Sequence, residues 1–347
     1  FQLESGGMKS FMKELRPQNL EDVIAGISLY RPGPMDFIPK YIKGKNSHED
    51  VVYSCPQLEP ILSPTYGCIV YQEQVMQIFR SLAGYSLGRA DIVRRAMSKK
   101  KHDVLMRERN AFIYGEKDEN GNVICDGAVA RGVDQKVAEK LFDEISAFSS
   151  YAFNKSHAAA YALVAYRTAY LKCHYPKEYF ASLLTSVLDS ANKISLYTAE
   201  CKRMGIKILP PSVNESYEDF TASASGIRFG LLAVKNLGSA LIKQLIDERK
   251  NGKYTSMFDF CVRNYGRNFN RRALEGLIKS GAMDGLEDNR RKMIYNIDKV
   301  LSVIEDTRRF SSENQMDLFG EADNTQSFKL SDIDEMPENE LLAMEKA

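Results

Sequence analysis

Between Phe153 and Tyr175 the sequence runs for 23 residues without a single Gly or Pro, and Pro176 then stops it. Alanines, tyrosines and other good helix formers fill the interval, and Asn154 or Ser156 stands at its head as a candidate cap. This run predicts a long apolar helix followed, after Pro176, by another. Any fold for the chain must be arranged around it. Upstream, Val75, Ile78, Phe79 and Leu82 fall at helical spacing, and Gly84 and Gly88 are expected to break that helix. VDQKVAEKLFDEISAF is amphipathic again, while ENGNVICDG reads as a turn or short hairpin insertion. A helix is expected within ELRPQNLEDVIAGISLY after Pro17. In the following LYRPGPMDFIPKYIKGK, Pro32, Gly33, Pro34 and Pro39 force extended or turning backbone, with Arg31, Lys40, Lys43 and Lys45 upon it. At KILPPSVNESYEDFTASASGIRFGL the pattern changes to a linker and a small hairpin. Short helices with Gly-containing turns follow over residues 229–292. Beyond about residue 300 the chain turns acidic and poor in periodicity, as expected of a flexible segment, with a helix-like run at its end. The fold class is therefore mainly α.

The formal net charge of +1 conceals a division. Residues 1–300 carry +9 and residues 301–347 carry −8. A basic body with an acidic end suits a partner that is a polyanion. No apolar run reaches membrane-spanning length. Six scattered cysteines without a CxxC, and four histidines without compact spacing, favour reduced thiols over a disulfide framework or a metal centre of His and Cys. The chain opens on Phe1 and closes inside a helix-like run, as expected of a piece of a longer polypeptide.

Five constellations could carry chemistry. GRADIVRRAMSKKK gathers Arg89, Arg94, Arg95, Lys99, Lys100 and Lys101 on a helix whose apolar residues anchor it. Such an array is either a solvated basic face or a fixed set of cations for phosphate. In FNKSHAAAY, Asn154, Lys155 and His157 stand at a helix N-terminus, where free N–H groups favour an anion, with Tyr161 one turn further on the same face. A simple cap beside a satisfied histidine is the other reading. KNLGS around Gly238, with Lys235, and KSGAMDG around Gly281, with Lys279, Arg290 and Arg291, form a tandem of helix–turn–helix units. These are either Gly-capped helical connections or hairpins whose turns meet DNA phosphates. QMDLF, residues Gln315, Met316, Asp317, Leu318 and Phe319, has the form of a short docking peptide in an acidic stretch. Asp332 and Asp334 make a D-x-D in a segment without an apolar strand to hold it, and read as a solvated run.

Together FQLESGGM, SLYRPGPMDFIPKYI, PTYGCIVYQEQVMQI, LAGYSLGRADIVRRAMSKKK, YAFNKSHAAAYALVAYRTAYLKCHYP and MGIKILPP resemble the bacterial replicative C-family DNA polymerases, the DNA polymerase III alpha subunits of the DnaE type. The resemblance covers residues 1 to about 320. It implies the end of a palm at 1–20, a multi-helix fingers domain at 21–205, a linker with short strands at 206–228, a tandem helix–hairpin–helix domain at 229–292, and a helical, acidic linker at 293–347. It also implies that Arg94, Arg95, Lys99, Lys100, Asn154, Lys155 and His157 bind the triphosphate of an incoming dNTP. Arg31 and Lys40 fall in the matching RPGP segment, as possible DNA or nucleotide contacts. Lys235, Gly238, Lys279, Gly281, Arg290 and Arg291 would meet the DNA backbone, and residues 315–319 a sliding clamp. The implied catalytic aspartates and their Mg2+ belong to the palm, leaving this chain no catalytic or metal residue and no activity alone. Template–primer DNA, dNTP, clamp and other replicase subunits are the implied partners, in a bacterial cytoplasm and without a membrane. The family usually has Gly where this chain has Ser98 and Ala152. A non-enzymatic helix–hairpin–helix scaffold is the rival reading, and a glycosylase- or ligase-like repair enzyme a third.

Overall fold

Apolar spacing of three and four residues dominates the folded chain as it does the sequence. A computed structural model describes residues 1–47, 51–98, 102–149, 153–266, 268–312 and 329–346. It divides into two compact units, 1–170 and 171–347. In the first unit, α1 (Gly6–Leu15), α2 (Leu20–Leu29), α3 (Ile38–Asn46) and α4 (Glu59–Leu62) precede α5 (Gln72–Ala83), α6 (Leu87–Ser98) and α7 (His102–Tyr114). A two-stranded hairpin, β1 (Glu116–Lys117) with β2 (Val123–Cys125), leads to α8 (Gln135–Ser149) and α9 (Lys155–His174). The division between the units falls within α9.

The expected stripe of α5 is fully buried: Val75, Ile78, Phe79 and Leu82 are all at 0% exposure. Phe79 meets Phe112 of α7 at 5.0 Å and Phe142 of α8 at 6.0 Å between ring centroids. Gly84 ends α5 in the left-handed conformation at φ 74°. Gly88, in contrast, lies in the first turn of α6 and breaks nothing, because the interruption is complete before it. A second core joins α1 and α2 to α9 through Met8, Phe11, Leu15, Ile24 and Leu29, which meet Ala158 and Ala162. Small residues on that face of α9 let its backbone approach closely.

The proline-rich segment is more helical than its composition suggests. Pro34 opens a short 3-10 turn to Phe37, and α3 follows with Pro39 in its first turn, where a missing N–H costs nothing. Lys40, Lys43 and Lys45 therefore lie on a helix rather than on extended chain. Lys45 turns inward: its Nζ donates to the carbonyls of Leu15 (2.9 Å) and Arg16 (2.7 Å) at the end of α1, and lies 3.1 Å from the buried Asp22 carboxylate. It is a structural cation.

The second unit begins with α10 (Pro176–Thr185) and α11 (Ala191–Arg203). These pack on a three-stranded sheet, β3 (Ile208–Leu209), β4 (Thr221–Ser223) and β5 (Gly226–Arg228), in the order β3–β5–β4. The β4–β5 hairpin is antiparallel, as its alternating residues predict; β3 adds a parallel neighbour that two residues beside Pro210 do not announce. Next come α12 (Ser239–Glu248), α13 (Met257–Asn264), α14 (Arg271–Lys279), α15 (Arg290–Tyr295) and α16 (Ile297–Ser312) around one core. Val300 and Ile304 of α16 and Leu330 are part of that core. A final α17 (Glu338–Lys346) matches the helix-like end. No helix among the described residues is long and apolar enough to cross a membrane.

Gly276 of α14 lets the first hairpin approach the second. A Cβ there would stand 2.5 Å from the Lys235 carbonyl oxygen, which belongs to backbone and cannot rotate away. Gly276→Ala should therefore destabilise the second unit by about 1–2 kcal/mol, the overpacking cost exceeding the gain in helix propensity. Urea unfolding followed by circular dichroism measures this directly; unchanged stability would show that the turn yields.

Candidate nucleotide and nucleic-acid interface

The N-terminus of α9 is held from two directions. Phe153 pairs with Tyr71 in a parallel bridge, its carbonyl accepting from Gln72 N (3.0 Å) and its N–H donating to Val70 O (3.3 Å). Asn154 caps the helix, its Oδ1 accepting from His157 N at 2.9 Å. The Glu73 carboxylate, in the first turn of α5, accepts from Lys155 N (3.2 and 3.1 Å) and from Asn154 Nδ2 (3.1 Å). Two segments about eighty residues apart in sequence are thereby fixed to each other.

This bracing gathers several predicted residues. The Arg31 guanidinium lies 3.9 Å from the centroid of the Phe153 ring. His157 sits between Phe153 (5.4 Å) and Tyr161 (4.4 Å), and Phe1 stacks on Tyr161 at 5.4 Å. Lys155 Nζ pairs with Glu21 Oε2 at 2.9 Å and stands 5.3 Å over the Tyr71 ring. The Tyr71 side chain is buried, which drives its hydroxyl pKa upward, and that hydroxyl has no hydrogen-bond partner among the described residues. Arg31, Asn154, Lys155 and His157 thus surround one helix end. Lys40 is exposed on α3, and its charge opposes the burial that pushes the Cys68 thiol up to about 11.

Arg94 and Arg95 form a separate group on α6. Both pair with Asp91 of the same helix, at 2.7 and 2.8 Å, and Arg95 remains 68% exposed whereas Arg94 is 16% exposed. The Arg94 hydrogen bond, more than any other influence, holds the Asp91 carboxyl below its usual value. Lys99 and Lys100 lie outside the described residues. Arg89, read as part of the same array, faces the interior: it pairs with the buried Glu108 at 2.9 Å and with Glu116, and covers the Tyr85 ring at 4.5 Å. A carboxylate already buried beneath α6 fixes its direction.

In the second unit, Gly238 caps α12 in extended conformation, and nothing stands within 4 Å of the place a Cβ would occupy. Asn236 beside it adopts the left-handed region at φ 65°. In the other hairpin Gly281 does so at φ 78°, with the Arg290 guanidinium against it. Lys235 and Lys279 line one groove of about 710 Å³, together with Asn236, Glu275 and Glu345. Arg290 is only 11% exposed; it makes a bidentate pair with Asp284 (2.7 and 2.6 Å) and reaches Glu345 at 2.9 Å. Arg291 is exposed. Residues 315–319 lie outside the described residues.

Sequence reasoning missed Glu73, Glu21, Asp91 and Phe153. Glu73 and Glu21 carry a partial signal as acids in first helical turns, a placement the helix dipole favours. Their reach to α9 is a tertiary fact without local trace.

Residues 1–120 match the family described as the bacterial DNA polymerase III alpha subunit finger domain, and residues 205–293 match the helix-hairpin-helix motif. A polymerase fingers module joined to a helix-hairpin-helix motif is the class these matches define. Curated relatives named DNA polymerase III subunit alpha include those of Borreliella burgdorferi, 42% identical over all of this chain, and Bacillus subtilis, also 42% identical over all of it. That of Thermus aquaticus is 42% identical over 97% of the chain. The chain belongs to the bacterial DNA polymerase III alpha subunits. It spans 30% of the first two relatives and 27% of the third.

Glu73→Ala should lower the stability of the first unit by about 1–2 kcal/mol, since three hydrogen bonds at the end of α9 lose a charged acceptor. Glu73→Gln, which keeps a carbonyl acceptor, should lose less than half as much. Thermal unfolding compares the two; no loss in Glu73→Ala would show that the carboxyl group braces nothing.

Proposed function

We propose that this chain is the nucleotide-positioning and DNA-gripping part of a template-directed DNA polymerase of bacterial replication. The observation that carries this reading is the convergence of Arg31, Asn154, Lys155 and His157 on the N-terminus of a 20-residue helix. A helix dipole, side-chain cations and the Lys155 N–H that Glu73 yields to an arriving phosphate suit the triphosphate of a dNTP. Residues 21–205 act as fingers in this reading, and residues 229–292 grip the duplex.

In the reaction a primer 3′-hydroxyl attacks the α-phosphate of the dNTP, and the P–O bond to the departing pyrophosphate breaks. Lys155 and His157, with Arg94, Arg95, Lys99 and Lys100, offset the charge that gathers on the leaving group. Breaking the surface pairs that now hold Arg95 and Lys155 costs about 0–1 kcal/mol each, so phosphate can replace a carboxylate. Arg31 and Lys40 contact the nucleotide or the nearby DNA. Lys235, Gly238, Lys279, Gly281, Arg290 and Arg291 belong to hairpins that meet duplex phosphates without reading sequence. Given its burial, Arg290 acts there by shaping the hairpin. Gln315, Met316, Asp317, Leu318 and Phe319 tether the polymerase to a sliding clamp, raising its effective concentration on DNA.

Polymerases of this type use Mg2+, which stabilises the attacking and leaving oxygens when bound. Carboxylates of the palm hold that metal in this reading, as the resemblance implies. The reading places the protein in the bacterial cytoplasm with other replicase subunits.

Charge reversal tests the assignment. In the full-length alpha subunit, Arg95→Glu and Lys155→Glu should each raise KM for dNTP and lower kcat, by about tenfold or more in kcat/KM. Affinity for primer–template should stay within about twofold. A scaffold that uses only its hairpins would show unchanged incorporation, and that result would remove the nucleotide site.

A further inference from the structure

The acidic end of the chain is laid upon the second hairpin. Leu330 enters the helix–hairpin–helix core, and Ser331 exchanges two hydrogen bonds with Asn296: its N donates to Oδ1 (3.0 Å) and its carbonyl accepts from Nδ2 (3.1 Å). Asn289 Nδ2 donates to Ile333 O at 2.6 Å. These neutral contacts seat the strand beside α15. Three acids are thereby brought onto the basic run Arg290–Arg291–Lys292. Asp332 lies 3.1 Å from Lys292 Nζ, and Glu345 lies 2.9 Å from the Arg290 guanidinium. Glu335 accepts from the main-chain N–H groups of Arg290 (2.6 Å) and Arg291 (3.1 Å). Asp334, Glu338 and Glu340, on the same stretch, make no ion pair among the described residues. The acids that are engaged are thus a distinct subset.

The energetics separate seating from charge. Leu330 and the amide hydrogen bonds hold the segment, while the Asp332–Lys292 pair, whose carboxylate is exposed, adds about 0–1 kcal/mol. What the pairs change is the electrostatics: each carboxylate beside a cation lowers the phosphate charge that cation can neutralise, so fewer counterions leave the DNA on binding. We propose that residues 331–345 are an intramolecular competitor for nucleic-acid phosphates, so that the second hairpin grips DNA fully only when this strand is displaced. The inference rests on the reading that the hairpins bind DNA. It adds that one of the two is covered by the chain itself.

The test compares two triple variants of equal charge change. Asp332→Asn, Glu335→Gln and Glu345→Gln remove the charges that touch the basic run; Asp334→Asn, Glu338→Gln and Glu340→Gln remove three that do not. Fluorescence anisotropy with a labelled duplex oligonucleotide, across about 50–200 mM salt, reads affinity and salt slope. The first triple should bind about tenfold tighter at the low end, with a slope steeper by about one to two. The second should gain less than about threefold. Indistinguishable triples, with a wild-type chain that binds, would overturn the competitor and leave the DNA reading intact. A wild-type chain and variants that all fail to bind would overturn both. If the first triple does not fold, Asp332→Asn alone should bind about twofold tighter, since Lys292 then faces one carboxylate, Glu287 at 3.3 Å, instead of two. Unchanged affinity there would overturn the proposal as well.

Discussion

The acceptance of three hydrogen bonds by Glu73 from Asn154 and Lys155 is the contact on which the arrangement of the first unit's cations depends. It joins the start of α5 to the start of α9, and the Phe153 bridge to Tyr71 supports it alongside. Each of these helices has its own apolar face in a different core, α5 against α7 and α8, α9 against α1 and α2. Packing alone would allow them to slide. A charged acceptor shared with the end of α9 sets the register between them, and places Lys155, His157 and, through Phe153, Arg31 around one point.

Carboxylates recur wherever cations gather. Asp91 holds Arg94 and Arg95, Glu21 holds the Lys155 side chain, and Asp332, Glu335 and Glu345 meet the run 290–292. A set of like charges repels itself, and an internal anion both lowers that cost and fixes direction. Because exposed pairs are weak, the anions beside Arg95 and Lys155 are exchangeable with phosphate. Where the pair is buried the logic differs. Lys45 with Asp22 and Arg89 with Glu108 are too deep to trade partners, and they act as supports for the helices that carry the exposed cations.

Much of the fold was legible because helices announce themselves locally. The stripe from Val75 to Leu82, the run before Pro176 and the hairpin around Asn120 and Gly121 are all where spacing places them. Pro39 misled because proline forbids a helix interior but suits a first turn, and nothing local distinguishes the two before α3 is known. Strand β3 was invisible for a different reason: two residues acquire their strand identity only from pairing with β5. The candidate site was legible in its cations and its cap, Asn154. Its carboxylates were not, since an acid at the start of α5 looks the same whether it serves its own helix or one eighty residues away. The same limit explains Arg89, whose direction is set by Glu108 on the next helix.

The central claim is that the first turn of α9 receives a triphosphate. Amide chemical shifts of the isotope-labelled chain, titrated with a dNTP, test it most directly. The largest changes are expected at Lys155, His157 and Ala158, with smaller ones at Gln72 and Glu73 as the bracing carboxylate gives way. Changes confined to the hairpin turns around Lys235 and Gly238, with the amides of α9 unmoved, would contradict it.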